Sequence, residues 1–88
     1  MTANSRYIET FLEMMAVERG AAIRTIEGYQ RDLDDFAAFA SARGSQVDAA
    51  TTEDIRAYVA SLTEAGLAAS TVSRRLSALR QFFRFLYA

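Results

Sequence analysis

Apolar residues recur at three- and four-residue spacings along almost the whole chain, and glycines at 20, 44 and 66 interrupt the pattern. With no proline anywhere, this predicts four α-helices joined by short connections. The first is expected from about Arg6 to Arg19, with Ser5 as N-cap and Ile8, Phe11, Leu12 and Met15 on its buried face. The second is expected from about Ala22 to Arg43, burying Ile26, Tyr29, Leu33, Phe36, Ala37 and Ala40; Arg24, Gly28, Arg31 and Asp35 share the opposite side. "SQVDAATTED" is the longest connection. Within it Thr51 and Asp54 have the spacing of a capping box, and Thr52 is an equally good cap. The third helix then runs to about Glu64 and buries Ile55, Tyr58, Val59 and Leu62.

The fourth helix is expected to start at a Ser70 cap and to continue at least to Leu86. At about 100° per residue, Val72, Leu76, Leu79, Phe83 and Leu86 fall on one narrow arc, which is taken as the buried face. Arg75 and Phe82 sit at its edge, and Phe85 well off it. The fold class is therefore all-α, one small four-helix domain. The sequence contains no convincing internal repeat and no low-complexity segment.

Composition narrows the function. Eighty-eight residues, 51% hydrophobic and 24% charged, describe one ordinary globular unit with a modest core. The absence of cysteine removes a disulfide framework and thiolate metal sites. The absence of histidine and lysine removes the usual general base, metal ligand and amine nucleophile. No enzyme activity of the chain itself, no cofactor, no metal and no small-molecule ligand are expected. No apolar run approaches the roughly 20 residues that span a bilayer, and "MTANSRYIET" lacks the features of a signal peptide. A cytoplasmic location without membrane contact is the default.

The net charge of −1 conceals a gradient. Residues 1–66 carry six arginines against eleven acids, whereas residues 67–88 carry four arginines and no acid. Charge acts over about a Debye length, roughly 8–10 Å, so one face can be basic within an acidic chain. Ser73, Arg74, Ser77, Arg80 and Arg84 lie on the polar half of the fourth helix. Such a face is commonly just solvated, and cations near a helix C-terminus favour the dipole. Solvated faces, however, normally mix signs to gain i,i+4 pairs. Short hydroxyls alternating with arginine suit a phosphodiester backbone, where serine donates and guanidinium forks onto phosphate or guanine. Ser70 and Thr71, with the free N–H groups of the first turn, add a second anion-binding feature, although Ser70 taken alone also reads as a plain cap. The stripe Arg24, Gly28, Arg31 is a weaker signal, diluted by Asp34 and Asp35.

The string "FLEMMAVERGAAIRTIEGYQRDLDDFAAFA" resembles the opening of the N-terminal core-binding domain of tyrosine recombinases, the phage-integrase and Xer group. Their pattern T-x-x-x-Y-x-x-D-L and a following phenylalanine are matched by Thr25, Tyr29, Asp32, Leu33 and Phe36. "STVSRRLSALRQFFRFL" resembles the family's S-T-x-x-R-x-L-S-A-L-R-x-F-F-x-F run. The resemblance extends from about Tyr7 to Leu86 and looks closest to the bacterial Xer recombinases. It implies a four-helix orthogonal bundle of two crossed helical hairpins (SAM-like), with the second and fourth helices lying against the major groove. By motif position it implies DNA contacts at Thr25, Tyr29, Ser70, Thr71, Arg74, Ser77 and Arg80. The family's catalytic arginine, lysine, histidine and nucleophilic tyrosine belong to a C-terminal domain, so residues 1–88 are expected to be the DNA-positioning half only.

The expected function is thus the DNA-binding domain of a site-specific tyrosine recombinase, with partners in double-stranded DNA and other recombinase subunits. The full candidate contact set is Arg24, Thr25, Tyr29, Arg31, Ser70, Thr71, Ser73, Arg74, Ser77, Arg80 and Arg84. It presupposes that the fourth helix offers a purely cationic flank, uncovered and not neutralised by carboxylates from residues 1–66. The crowded end of that helix (Phe82, Phe83, Phe85, Leu86, Tyr87) supports a rival: a helical protein–protein adaptor using this aromatic surface. The same crowding leads us to expect that the native chain continues beyond Ala88.

Overall fold

The computed structural model describes residues 3–87. Four helices form the fold: α1 (Ala3–Val17), α2 (Ile23–Ala42), α3 (Thr52–Glu64) and α4 (Ala69–Leu86), with a short 3-10 turn at Val47–Ala49 between α2 and α3. No strand occurs among the described residues. The bundle measures 36 × 27 × 23 Å. α4 packs against all three other helices, and α2 likewise meets α1, α3 and α4.

Two stops follow directly from glycine. Gly44 and Gly66 both adopt φ +84°, in the left-handed region that residues with a Cβ avoid. Each closes a Schellman motif. After α2, Ser45 N–H returns to the Ala40 carbonyl and Gly44 N–H to Ser41; after α3, Leu67 N–H returns to Leu62 and Gly66 N–H to Thr63. The chain can therefore reverse without leaving the last carbonyls unpaired.

The start of α3 matches its signature. Thr51 is the N-cap, its hydroxyl accepting from the Asp54 N–H at 3.2 Å, while Asp54 Oδ2 accepts from the Thr51 N–H at 2.9 Å. Asp54 also takes Arg43 Nε on Oδ1 and the Ser45 hydroxyl on Oδ2, each at 2.9 Å. One buried carboxylate thus fastens the end of α2 to the start of α3. These donors, led by the Thr51 N–H and then Arg43, hold its carboxyl far below the usual range.

Two expected starts are displaced. α1 begins at Ala3, which puts Ser5 inside the helix rather than at its N-cap. α4 begins at Ala69 with Ala68 as N-cap and no side-chain cap, so Ser70 lies within the first turn. At α4, Ala69 is a strong helix former and extends the helix one residue ahead of Ser70. The 3-10 turn was not foreseen either. It inserts Val47, fully buried, into the core, which pins a connection that otherwise reads as polar.

The core is a chain of aromatic contacts. Phe11 meets Phe82 edge-on at 5.6 Å, and also Tyr29 and Phe85, at 6.0 and 5.6 Å. Phe36 meets Tyr58 edge-on at 5.2 Å and Phe83 at 6.1 Å. Phe82 and Phe83, 5.5 Å apart, join the two groups. Edge-to-face geometry of this kind adds to burial. It also corrects the expected orientation of α4. Its innermost residues are Ala78, Leu79 and Phe82, while Val72, Leu76, Phe83 and Leu86 are only half-buried. Phe85, expected off the core, packs on Phe11. The helix is rotated because it is flanked by α1 on one side and α3 on the other, and burial is centred between them.

Candidate nucleic-acid interface

The rotation of α4 fixes what it shows to solvent. Arg80, Ser73, Arg84 and Ser77 fall within about 60° of one another, and Ser70 about 20° further on. All five are exposed. Their crest is about 21 Å long at 1.5 Å rise per residue. Arg80 and Arg84 make no ion pair among the described residues; Leu76, Phe83 and Tyr87 border one groove with both, and Glu18 and Arg19 border another with Arg84. Thr71 is half-buried, on the side of the helix that turns inward.

Arg74 lies on the shoulder of this crest, facing α2. There it meets the N-terminal half of α2 across a shallow cleft of about 290 Å³ lined by Arg24, Thr25, Gly28, Tyr29, Asp32 and Arg74. Four of the expected contact residues, Arg24, Thr25, Tyr29 and Arg74, are therefore brought together from two helices. Tyr29 is half-buried with its ring against Phe11, so it serves the core while bordering the cleft. Arg31 is exposed on α2 but does not line the cleft. Gly28 forms part of the cleft lining, and a Cβ built there meets nothing within 4 Å.

The flank is not purely cationic, contrary to expectation. Asp32 of α2 reaches across the bundle, and its Oδ2 accepts from Arg74 Nη1 at 3.0 Å. Local sequence hides this acid because it comes from another helix. The pairing is partial: the Arg74 side chain remains 54% exposed, while that of Asp32 is 3% exposed. Ser77 and Arg80 are neither covered nor paired with a carboxylate among the described residues.

Behind Arg74, Arg75 points inward. Its Nη1 donates to Asp35 Oδ2 at 2.7 Å and to the Tyr58 hydroxyl at 3.2 Å, and its Nε stands 3.9 Å from Asp32 Oδ1. Neither that Nε nor that Oδ1 has a hydrogen-bond partner; they face each other as charges only. The Tyr58 hydroxyl donates to Asp35 Oδ2 at 2.7 Å. Burial first, and that bond second, push its pKa up to about 12. The Arg75 guanidinium is shifted further up, chiefly by Tyr58.

The inward Arg75 and the pairing of Asp32 with Arg74 were not read from the sequence. A signal for Asp32 existed: three residues after Tyr29 and four before Phe36, it shares the apolar side of α2. An acid there requires a buried partner. No comparable signal identified which arginine would supply it.

The comparisons agree with this architecture. The family model described as phage integrase, N-terminal SAM-like domain, matches residues 8–88. Among curated relatives, a protein named tyrosine recombinase XerD from Rhizobium meliloti (strain 1021) is 49% identical over 85 residues, covering 97% of this chain and 27% of the relative. XerD of Brucella abortus (strain 2308) is 51% identical over 81 residues, covering 92% and 26%, and that of Caulobacter vibrioides is 44% identical over 86 residues, covering 98% and 28%. The chain spans about a quarter of the length of these relatives. No solved structure matches. Among the described residues no helix is long and apolar enough to cross a membrane. The chain belongs to the family of phage-integrase N-terminal SAM-like domains.

Proposed function

We propose that this chain is the DNA-binding unit of a site-specific tyrosine recombinase. It positions duplex DNA through α2 and α4 for strand cleavage by a catalytic domain that lies elsewhere in the parent protein. The observation that carries this reading is the exposed crest Ser70, Ser73, Ser77, Arg80 and Arg84, continuous with the cleft that gathers Arg24, Thr25, Tyr29 and Arg74. Serines set between arginines bring a helix close to a phosphodiester backbone, and the guanidinium groups supply charge and forked donors. Arg31 takes part from the flank of α2, and Thr71 with Ser70 presents the first turn of α4. The relatives' names and their greater length support the same assignment. The chain contains no histidine or lysine, so the family's catalytic set is not within it. Its natural partners are double-stranded DNA and other recombinase subunits, in the cytoplasm.

Anisotropy of a labelled duplex across about 50–200 mM salt tests this. Binding of the isolated domain is expected near the non-specific range, about 10⁻⁴–10⁻⁶ M, and contact with about four phosphates gives a log–log salt slope near −3.6. No salt-sensitive binding up to millimolar protein sinks the reading. A rival is favoured by one feature, the apolar groove beside Tyr87, which is 65% exposed: a helical adaptor that docks protein there. Salt-insensitive self-association or protein capture, with no DNA slope, selects that rival.

A further inference from the structure

We propose that Asp32 is a positioning residue for DNA binding: its buried carboxylate tethers Arg74 so that the remaining guanidinium donors face the cleft between α2 and α4. This rests on the DNA-binding reading above and goes beyond it by assigning a role to an acid.

Three observations carry it. First, Asp32 is buried, yet it sits in a cleft wall otherwise made of arginine, threonine, tyrosine and glycine. A buried carboxylate is retained only with cationic partners, and this one has two, both on α4. Second, the bond to Arg74 uses a single N–H, at Nη1. An arginine has five, so four remain, and the side chain is more than half exposed. Third, Asp32 is confined by burial and by a second cation. Its Oδ1 has no hydrogen-bond partner and faces Arg75 Nε at 3.9 Å, and Arg75 is in turn held by Asp35 and Tyr58. The tether is therefore anchored in all three of α2, α3 and α4. A free surface arginine must give up rotamer freedom when it meets a phosphate, a cost this arrangement removes in advance. The carboxylate lies beneath the guanidinium, so an anion entering the cleft meets the cation first.

A double-mutant cycle separates this from simple charge arithmetic. Asp32→Asn removes an acid, and on charge alone it strengthens DNA binding. The tether requires the opposite: affinity for a duplex weakened several-fold, up to about tenfold, the scale of ordering one long side chain. In an Arg74→Ala background there is no guanidinium left to tether, so the same Asp32→Asn change is expected to cause no loss of affinity and only the small gain that removing an acid brings. Asp32→Glu is expected to restore part of the loss. Circular dichroism and thermal melts select the concentrations and temperatures at which every variant is folded. Side-chain NMR of Arg74 supplies a readout independent of DNA: its guanidinium signals are expected to be sharp and slowly rotating in the parent and averaged in Asp32→Asn. Tighter binding by Asp32→Asn, or an equal loss with and without Arg74, overturns the proposal. If the NMR change occurs but no variant binds DNA, the tether stands as geometry and the DNA-binding reading itself falls.

Discussion

The Tyr58 hydroxyl and Arg75 Nη1 donate to the same atom, Oδ2 of Asp35, each at 2.7 Å. One oxygen on α2 thus collects a donor from α3 and another from α4. Since the Tyr58 ring is buried against Phe36 and Phe39, the hydroxyl cannot ionise without placing a second negative charge beside Asp35. The folded-state pKa, about 12, exceeds the unfolded value near 10. The stabilisation is therefore fully present below pH 10 and fades as pH rises through 12. Tyr58→Phe keeps the ring and removes the bond, and is expected to cost about 1 kcal/mol at neutral pH. Melts at increasing pH are expected to show a loss of stability above pH 10 in the parent that is shallower in the variant. Absorbance titration is expected to show one tyrosine ionising late, near pH 12.

Asp54 sets the opposite limb. Its carboxyl is held below the ordinary value of 3.8 by the Thr51 N–H, Arg43 and Ser45. A depressed folded-state pKa contributes stability that is present above the unfolded value and lost as pH falls below it. Asp54→Asn is expected to lower the melting temperature at pH 7 and to flatten the acid side of the melting-temperature profile. Thr51→Ala is expected to remove one cap bond, at a cost of about 1 kcal/mol. Its acid limb persists almost in full, because the backbone N–H at position 51, Arg43 and Ser45 still hold the carboxylate.

Phe82 is the residue on which the end of α4 depends. It is fully buried, edge-on to Phe11 and in contact with Phe83. Phe82→Ala is expected to cost about 3–5 kcal/mol. A small domain holds only about 5–15 kcal/mol in total, so this one change removes most of the margin at the lower end. Phe85→Ala opens a half-buried site and is expected to cost clearly less. Denaturant titrations of the two variants order them; an equal cost contradicts the orientation of α4 described here.

The helices were legible because helical spacing and glycine stops are local properties, and Thr51 with Asp54 carries its own partner three residues away. The facing of α4 was not. Hydrophobicity chose Val72, Leu76, Leu79, Phe83 and Leu86, yet of these only Leu79 is fully buried, and the residues that turn inward beside it are Arg75, Ala78 and Phe82. Two of those three are not strongly apolar, so no periodicity analysis centres on them. Arg75 becomes an inward residue only because Asp35, forty positions earlier, waits for it across the bundle. The same holds for Arg74 and Asp32, separated by 42 positions. Half of the candidate interface was legible as an exposed crest. Its cleft was not, since a cleft between α2 and α4 exists only once the two helices are packed.

Gly28 lies in the interior of α2, where glycine is unfavourable by about 1 kcal/mol relative to alanine. Nothing in the fold asks for it: its backbone is not left-handed, and an added Cβ meets nothing within 4 Å. Gly28→Ala is therefore expected to raise stability by up to about 1 kcal/mol, read by denaturant titration. The added methyl enters the cleft between Arg24 and Arg74. Comparing duplex affinity of the two proteins at one salt concentration then measures how closely the nucleic-acid backbone approaches α2: a loss of affinity in the more stable protein marks direct approach to the cleft floor.

Arg80 offers a test in which stability stands still. It is exposed on α4, without an ion pair among the described residues, one turn from Ser77 and one from Arg84. Surface substitutions of this kind stay within about 0.5 kcal/mol, so Arg80→Ala is expected to melt like the parent. Arg84 lies in the last turn, where a cation favours the helix dipole, so its replacement is expected to cost a few tenths of a kcal/mol as well. If each guanidinium neutralises one phosphate, each replacement weakens binding to all duplexes alike and makes the log–log salt slope less steep by about 0.9. If instead Arg80 reads a base edge, its loss is worth about 1–3 kcal/mol on the preferred sequence and little on others. Salt titrations on two unrelated duplexes, with the parent, Arg80→Ala and Arg84→Ala, distinguish a phosphate contact from a base contact residue by residue. An unchanged slope in both variants removes the C-terminal half of the α4 crest from the interface and leaves the cleft around Arg24 and Arg74 to account for binding.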